Sequence, residues 1–205
     1  MRVQEFRRRA EAGIQDGDCV NEITSIFGDI YLFPYEMRTY PKETKFFRAR
    51  PINDDDTKIP LQTISRVTDA WEPPAEIVKT QGRLNKVKQG ILYCCPGDPD
   101  LAIDEARARG NKFVAIMVYC SVRTINVAVL GDYSISKIPK DKMSHMFYSF
   151  LEEEFGRDVP KGHEQRYSIT RAVAETFFTY PEQDAWCYRS VQSPLKFNAA
   201  FLPGR

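Results

Sequence analysis

Between Gly90 and Gly110 the chain spells out a strand, a tight stop and a helix in an order that leaves little freedom. Gly90-Ile91-Leu92-Tyr93-Cys94-Cys95 is a compact apolar run of strand length, and Pro96-Gly97 ends it. Asp98 then stands where a side-chain oxygen can accept the unpaired N–H groups of a first helical turn. Pro99 follows at the first helical position, where a missing N–H costs nothing. Leu101, Ala102, Glu105 and Ala106 continue the helix, and Gly110 closes it. A helix that leaves its strand through so short a turn must pack beside it, and Glu105 rides on that helix.

The remaining patterns predict short strands interleaved with helices. Val3, Phe6, Ala10 and Ile14 recur at helical spacing up to about Gln15, and a turn-rich connection is expected between Pro34 and Pro41. Phe46-Phe47-Arg48-Ala49-Arg50 reads as a strand, and Pro51 to Pro60, with Asn53-Asp54-Asp55-Asp56, as a solvated loop. Residues 112–119 and 125–130 are β-branched-rich runs around a polar tip at Ser121 to Thr124, which predicts a hairpin or neighbouring strands. Met143, Met146, Phe147, Phe150, Leu151 and Phe155 predict a core-facing helix ending at Gly156 as a C′ glycine. A further helix is expected over Ser168 to Thr179, and two last strands around Trp186-Cys187-Tyr188 and Phe197 to Phe201. The class is α+β.

Composition bounds the function. At 205 residues with 42% hydrophobic content the chain has material for one sizeable core. A formal charge of +1 supplies no basic field, which argues against direct binding to nucleic acid. No apolar run approaches the roughly 20 residues a membrane crossing requires, and the polar N-terminal stretch does not read as a signal peptide, so a cytoplasmic location is expected. Cys19, Cys94, Cys95, Cys120 and Cys187 lack paired CxxC spacing and only His145 and His163 could assist them, so no metal is expected and buried free thiols are the favoured reading. Glu152-Glu153-Glu154 reads as a solvated helix face, since consecutive helical residues point in different directions, and Arg7-Arg8-Arg9 as a helix surface.

Several separated segments then fall into one order. They are Phe46-Phe47-Arg48-Ala49-Arg50, Gly82-Arg83-Leu84-Asn85, Gly90-Ile91-Leu92-Tyr93, Ala102-Ile103-Asp104-Glu105, Tyr167-Ser168-Ile169-Thr170-Arg171, Tyr188-Arg189-Ser190 and Asn198-Ala199-Ala200-Phe201. In this order the chain resembles the RES domain family, named for its arginine, glutamate and serine, from about Phe46 to Phe201. Residues 1–45 are then a helical and loop extension packed on a domain of residues 46–205. Departures are Ala185-Trp186-Cys187 where the family commonly has Gly-Ile, Leu84 where an aromatic is frequent, and a longer helical region from Met143 to Gly156.

The resemblance implies an ADP-ribosyltransferase-like fold, with small mixed or antiparallel sheets flanked by helices around an NAD cleft. It implies an enzyme for which NAD is substrate rather than true cofactor, cleaving the nicotinamide–ribose bond and passing ADP-ribose to water, phosphate or a protein. On that reading Glu105 stabilises the positive charge that develops on the ribose, and Arg48, with Arg83 behind it, holds the pyrophosphate through its planar fork. Tyr93 stacks on the nicotinamide and ribose, Ser190 orients the carboxylate or the ribose, and Asn85, Asn198 and Tyr188 complete the binding wall. Taken singly each residue has a plainer reading. Arg48 would be a surface cation, Glu105 a solvated helix charge, Tyr93 a core residue and Ser190 a turn residue. Many members of the family are toxins held inactive by a DNA-binding Xre-type antitoxin, which is the partner implied, while homodimer formation is left open. The competing readings are a non-catalytic module that binds a nucleotide or protein, and an enzyme acting on another nucleotide.

Overall fold

In the computed structural model, which describes residues 2–14, 16–28, 35–52, 64–133 and 141–202, two helices open the chain, α1 (Arg2–Glu11) and α2 (Asp16–Phe27). Strands β1 (Glu36–Tyr40) and β2 (Lys45–Ile52) follow, then β3 (Leu92–Pro96), α3 (Pro99–Glu105), β4 (Phe113–Cys120) and β5 (Ile125–Leu130). Helices α4 (Lys142–Gly156) and α5 (Ser168–Phe177) precede the last strands, β6 (Ala185–Arg189) and β7 (Phe197–Phe201). Short 3₁₀ turns lie at Val67–Ala70, Ala75–Ile77 and Glu164–Tyr167. The strands run in the order β1-β5-β6-β7-β3-β2-β4, antiparallel throughout except for the parallel pair β5–β6. The mixed sheet with helices is the α+β class expected.

Two features bend this sheet. Strand β3 divides its pairing, with Leu92, Tyr93 and Cys94 opposite β7 and Cys95 and Pro96 opposite β2. The second is a long ribbon, in which β1 and β2 run against β5 and β4 in one unbroken register. Glu36 faces Val129, Tyr40 faces Ile125, Lys45 faces Cys120 and Ile52 faces Phe113. Backbone bonds from Glu43 N–H to the Ser121 carbonyl (2.8 Å) and from Ser121 N–H to the Thr44 carbonyl (3.0 Å) carry the pairing across the gap. In a flat sheet five spacings of about 4.8 Å would hold β5 and β4 roughly 24 Å apart. The four residues that join them span at most about 18 Å, so the sheet must curl until its two ends meet.

Residues 112–119 and 125–130 are therefore neither a hairpin nor neighbouring strands, for β4 pairs with β2 and β5 with β1 and β6. None of Ser121 to Thr124 adopts the left-handed conformation that a tight hairpin turn requires. They make a bend that passes the chain from one half of the sheet to the other.

Strand alternation sorts the core onto two faces. Ala128, Leu130, Trp186, Tyr188 and Ala200 meet the helices through Phe6, Ile23, Phe27, Phe147, Phe150, Leu151, Phe155 and Val173. Phe46, Leu92, Cys94, Ile125, Val127, Ala185, Cys187 and Ala199 form the other face. A third, small cluster packs Leu101 and Ala102 of α3 on Cys95, Phe47 and Ala49.

Other expectations change. Strand β1 replaces the turn-rich connection between Pro34 and Pro41, and α2 was not foreseen. Both join the common core or sheet, as does α1. Asn53 to Pro60 lies outside the described residues. Met143 and Met146 are exposed rather than buried, because the core stripe of α4 runs through Phe147, Phe150, Leu151 and Phe155. Cys94, Cys95 and Cys187 are buried free thiols in strands, whereas Cys19 is buried in a helix and Cys120 is exposed.

The end of α4 departs most. Gly156 is not left-handed and forms no C′ turn. The helix ends instead on borrowed cations, as Arg83 donates to the carbonyls of Glu154 (3.3 Å), Phe155 (2.6 Å) and Arg157 (2.8 Å). Glu154, read as solvated, is 3% exposed. Its Oε1 accepts from Arg7 Nε at 2.6 Å and Arg157 Nη2 at 2.9 Å, while a second Arg7 nitrogen reaches Glu153 at 2.6 Å. Burial pushes the Glu154 carboxyl up from its ordinary range, opposed by Arg157 and Arg7. A carboxyl raised in this way takes up a proton on folding, so its contribution to stability falls as pH rises from the ordinary carboxylate range through the raised value. Arg7→Met should cost about 2 kcal/mol in urea denaturation at neutral pH and less below the carboxylate range, where Glu154 is neutral in both states. Combination with Glu154→Gln should show coupling of about 1 kcal/mol, and strict additivity would contradict the buried pair.

Candidate active site

Glu105 is the last residue of α3, the helix that Asp98 caps by accepting the Leu101 N–H at 2.8 Å. Arg107, two residues on, is left-handed at φ 50°, which turns the chain away from the helix axis. Ser190 follows β6, and its N–H donates to the Lys196 carbonyl at 2.8 Å. Its hydroxyl oxygen accepts the N–H groups of Gln192 (3.1 Å) and Ser193 (3.0 Å) and donates to Glu105 Oε1. A hydroxyl has one proton and two acceptor positions. With both acceptor positions filled by the turn, the proton has one direction left, and it fixes the orientation of the carboxylate. Strand β6 and helix α3, distant in sequence, are joined at this contact.

A hollow of about 380 Å³ opens beside Glu105, walled by Gly82, Arg83, Asn85, Tyr93, Arg107, Asp158, Tyr167 and Tyr188. A second recess of about 250 Å³ shares Gly82, Asn85 and Tyr93 with it and has Arg48 in its lining. Their joint size lies within the usual span of small-molecule sites, about 300 to 1,000 Å³. The shared wall is held tightly. Tyr93 donates its hydroxyl to Asn85 Oδ1 at 3.0 Å and accepts the Leu84 N–H at 3.2 Å, and the Asn85 carbonyl accepts the Gly82 N–H at 3.0 Å. A Cβ on Gly82 would stand 2.2 Å from Asn85 Oδ1, so any side chain there has to push the Asn85 amide away from Tyr93. Burial pushes the phenols of Tyr93 and Tyr188 up, which keeps both neutral at physiological pH.

Of the residues expected from the sequence, Arg83, Asn85, Tyr93, Glu105 and Tyr188 line the same hollow and Ser190 is bonded to it from behind. Arg48 stands in the adjoining recess with its guanidinium donating to the Trp71 carbonyl. Asn198 lines neither space. It is buried, and its Oδ1 accepts from the Cys95 thiol at 3.2 Å. Arg83 is buried with its guanidinium on the α4 carbonyls, its Cζ 5.1 Å from the ring centre of Tyr167 and 5.6 Å from that of Tyr188.

Tyr167, Arg107 and Asp158 also line the hollow, though the sequence did not single them out for it. Tyr167 was visible in the Tyr-Ser-Ile-Thr-Arg segment. Arg107 and Asp158 meet in an ion pair of 3.1 Å across 51 positions, a contact without local signal. A larger, mostly apolar cavity of about 930 Å³ contains Phe46, Trp71, Leu92 and Tyr119 and none of Glu105, Arg83, Tyr93 or Ser190. Among the described residues no cluster of His, Cys, Asp or Glu is arranged to hold a metal ion, and no helix is long and apolar enough to cross a membrane.

Arg83→Lys should lower stability by about 2 kcal/mol, because an ammonium cannot bridge three carbonyls and leaves at least one buried acceptor unpaired. Urea denaturation followed by circular dichroism measures this, and an unchanged midpoint would remove Arg83 from its place at the end of α4.

No curated protein and no solved structure matches the chain. The family model described as the RES domain matches residues 60–205, more than two thirds of the sequence. That stretch includes Arg83, Tyr93, Glu105 and Ser190, along with every strand and helix from β3 onward, but it begins after β2 and so leaves Arg48, expected within the resemblance, outside it. The chain belongs to the RES domain family.

Proposed function

We propose that this protein binds NAD in the hollow beside Glu105 and cleaves the bond between nicotinamide and ribose. The observation that carries this reading is the Glu105 carboxylate, held by the Ser190 hydroxyl at the wall of a hollow that three tyrosines and Arg83 enclose. In the proposed reaction the bond between C1′ and the pyridinium nitrogen breaks with its electron pair passing to the ring, so nicotinamide leaves neutral and positive charge grows on the ribose. A fixed carboxylate bound to the ribose hydroxyls gains strength as that charge grows, which stabilises the transition state more than the bound substrate. Tyr93 supplies an aromatic face that excludes water, and Arg48 reaches the pyrophosphate from the neighbouring recess by exchanging the Trp71 carbonyl for phosphate oxygens. Water, phosphate or a protein side chain then adds to C1′ and gives up its proton.

Family membership supports an NAD-acting enzyme, and with it a toxin role in which a Xre-type antitoxin covers the hollow. A non-catalytic module that binds a nucleotide or a protein is the second reading, and one observation favours its protein-binding form: the guanidiniums of Arg48 and Arg83 are both engaged with backbone carbonyls rather than open to a pyrophosphate.

Purified protein should release nicotinamide from NAD. Glu105→Gln should lower the rate by about 10² to 10³, with NAD binding by calorimetry nearly unchanged, and Ser190→Ala by about tenfold through loss of orientation. Uptake of NAD without nicotinamide release would establish the binding module, and equal rates in wild type and Glu105→Gln would remove the carboxylate from the mechanism.

A further inference from the structure

Helix α1 lies ahead of the family match, yet its charged side chains grip the segment that forms one wall of the hollow. The segment from Arg157 to Tyr167 supplies Asp158, Val159, Lys161, Glu164 and Tyr167 to that wall, and apart from the 3₁₀ turn Glu164–Tyr167 it has no regular structure of its own. Its two ends lie against one carboxylate, which is hydrogen-bonded at the first and only in ion-pair range at the second. Glu11 Oε1, at the end of α1, lies 3.5 Å from Arg157 Nη1 and 3.4 Å from Arg166 Nε. One turn earlier, Arg7 shares Glu154 Oε1 with Arg157. The Arg157 carbonyl in turn accepts from Arg83, whose guanidinium lies over the Tyr167 ring. Both ends of the wall, and the arginine beside it, are thus set by where α1 docks.

We infer that α1 is a positioning element of the binding site, with Glu11 clamping the wall from Arg157 to Tyr167 in its substrate-ready place. Burial fixes the helix, since Phe6 and Ala10 are fully covered and the Arg7 guanidinium lies 5.4 Å from the Phe150 ring centre. Glu11 itself is half-exposed and its ion pairs are long, so it adds little to global stability. A residue that holds a wall without carrying the fold should be read in binding rather than in melting. The inference rests on the NAD-cleaving function proposed above for its kinetic arm only.

Two measurements on the full chain and its Glu11→Gln variant test it. Without nucleotide, amide hydrogen exchange over residues 158–165 should be faster in the variant, with the core helices α4 and α5 and the thermal midpoint unchanged. With NAD, KM for nicotinamide release should rise about five- to tenfold while kcat stays nearly constant. Raising salt to about 1 M, where the screening length falls to about 3 Å, should bring the wild type towards the variant. Equal exchange over 158–165 overturns the clamp whether or not NAD is cleaved. Faster exchange with unchanged KM also overturns it, because the wall would then move without affecting binding. A wild type that releases no nicotinamide overturns the proposed function instead, and the exchange arm still judges the clamp.

Discussion

The C-terminal end of α4 is the point on which the rest of the molecule converges. A helix leaves its last four carbonyls without partners, and here no left-handed glycine supplies the usual substitute donors. Arg83 comes from a segment 71 positions earlier to bond the Glu154 carbonyl, while Arg7, 147 positions from Glu154, meets its buried side chain. One helix end therefore ties together the N-terminal helix, the loop ahead of β3 and the wall of the hollow. Buried charges demand partners. Here the partners come from the N-terminal helix, from the Arg83 segment and from Arg157 at the start of the wall.

The site is assembled by a second convergence, at the curled sheet. Strand β3 carries Tyr93 on the helical side and Leu92 on the other, then changes partner from β7 to β2. That change lets α3 start immediately after it and end with Glu105 over the loop that follows β6. The hydroxyl of Ser190, already saturated as an acceptor by its own turn, has only the carboxylate to donate to.

Local rules made much of this legible. Asp98, Pro99 and the apolar run ahead of them announced β3 and the start of α3, because capping and strand termination act over a few residues, whereas the helix stops at Glu105 rather than at Gly110, since Arg107 turns left-handed first. The order of short motifs marked Arg83, Asn85, Tyr93, Glu105 and Tyr188, which the structure gathers on one hollow. Asn198 was placed there by the same order and instead lies beneath, against Cys95, since strand alternation alone does not say which face becomes the wall. What stayed hidden was long-range pairing. Glu36-Met37-Arg38-Thr39-Tyr40 has too mixed an alternation to read as a strand until β5 lies beside it. Nothing near Glu154 says that Arg7 will bury it. A polar tip between two apolar runs reads locally as a hairpin, and only the partners β1 and β2 convert it into a crossing.

The ribbon formed by β1–β2 and β4–β5 keeps a single register from Glu36 opposite Val129 to Ile52 opposite Phe113. Side chains alternate between faces with a period of two, so a shift of one residue in either strand would exchange inside for outside along half its length. The links Pro41–Thr44 and Ser121–Thr124 are therefore bound to each other in length. Although they lie far apart in the gene and look like ordinary surface loops, an insertion tolerated in one has to be answered by an insertion in the other, so the two should vary together as a pair.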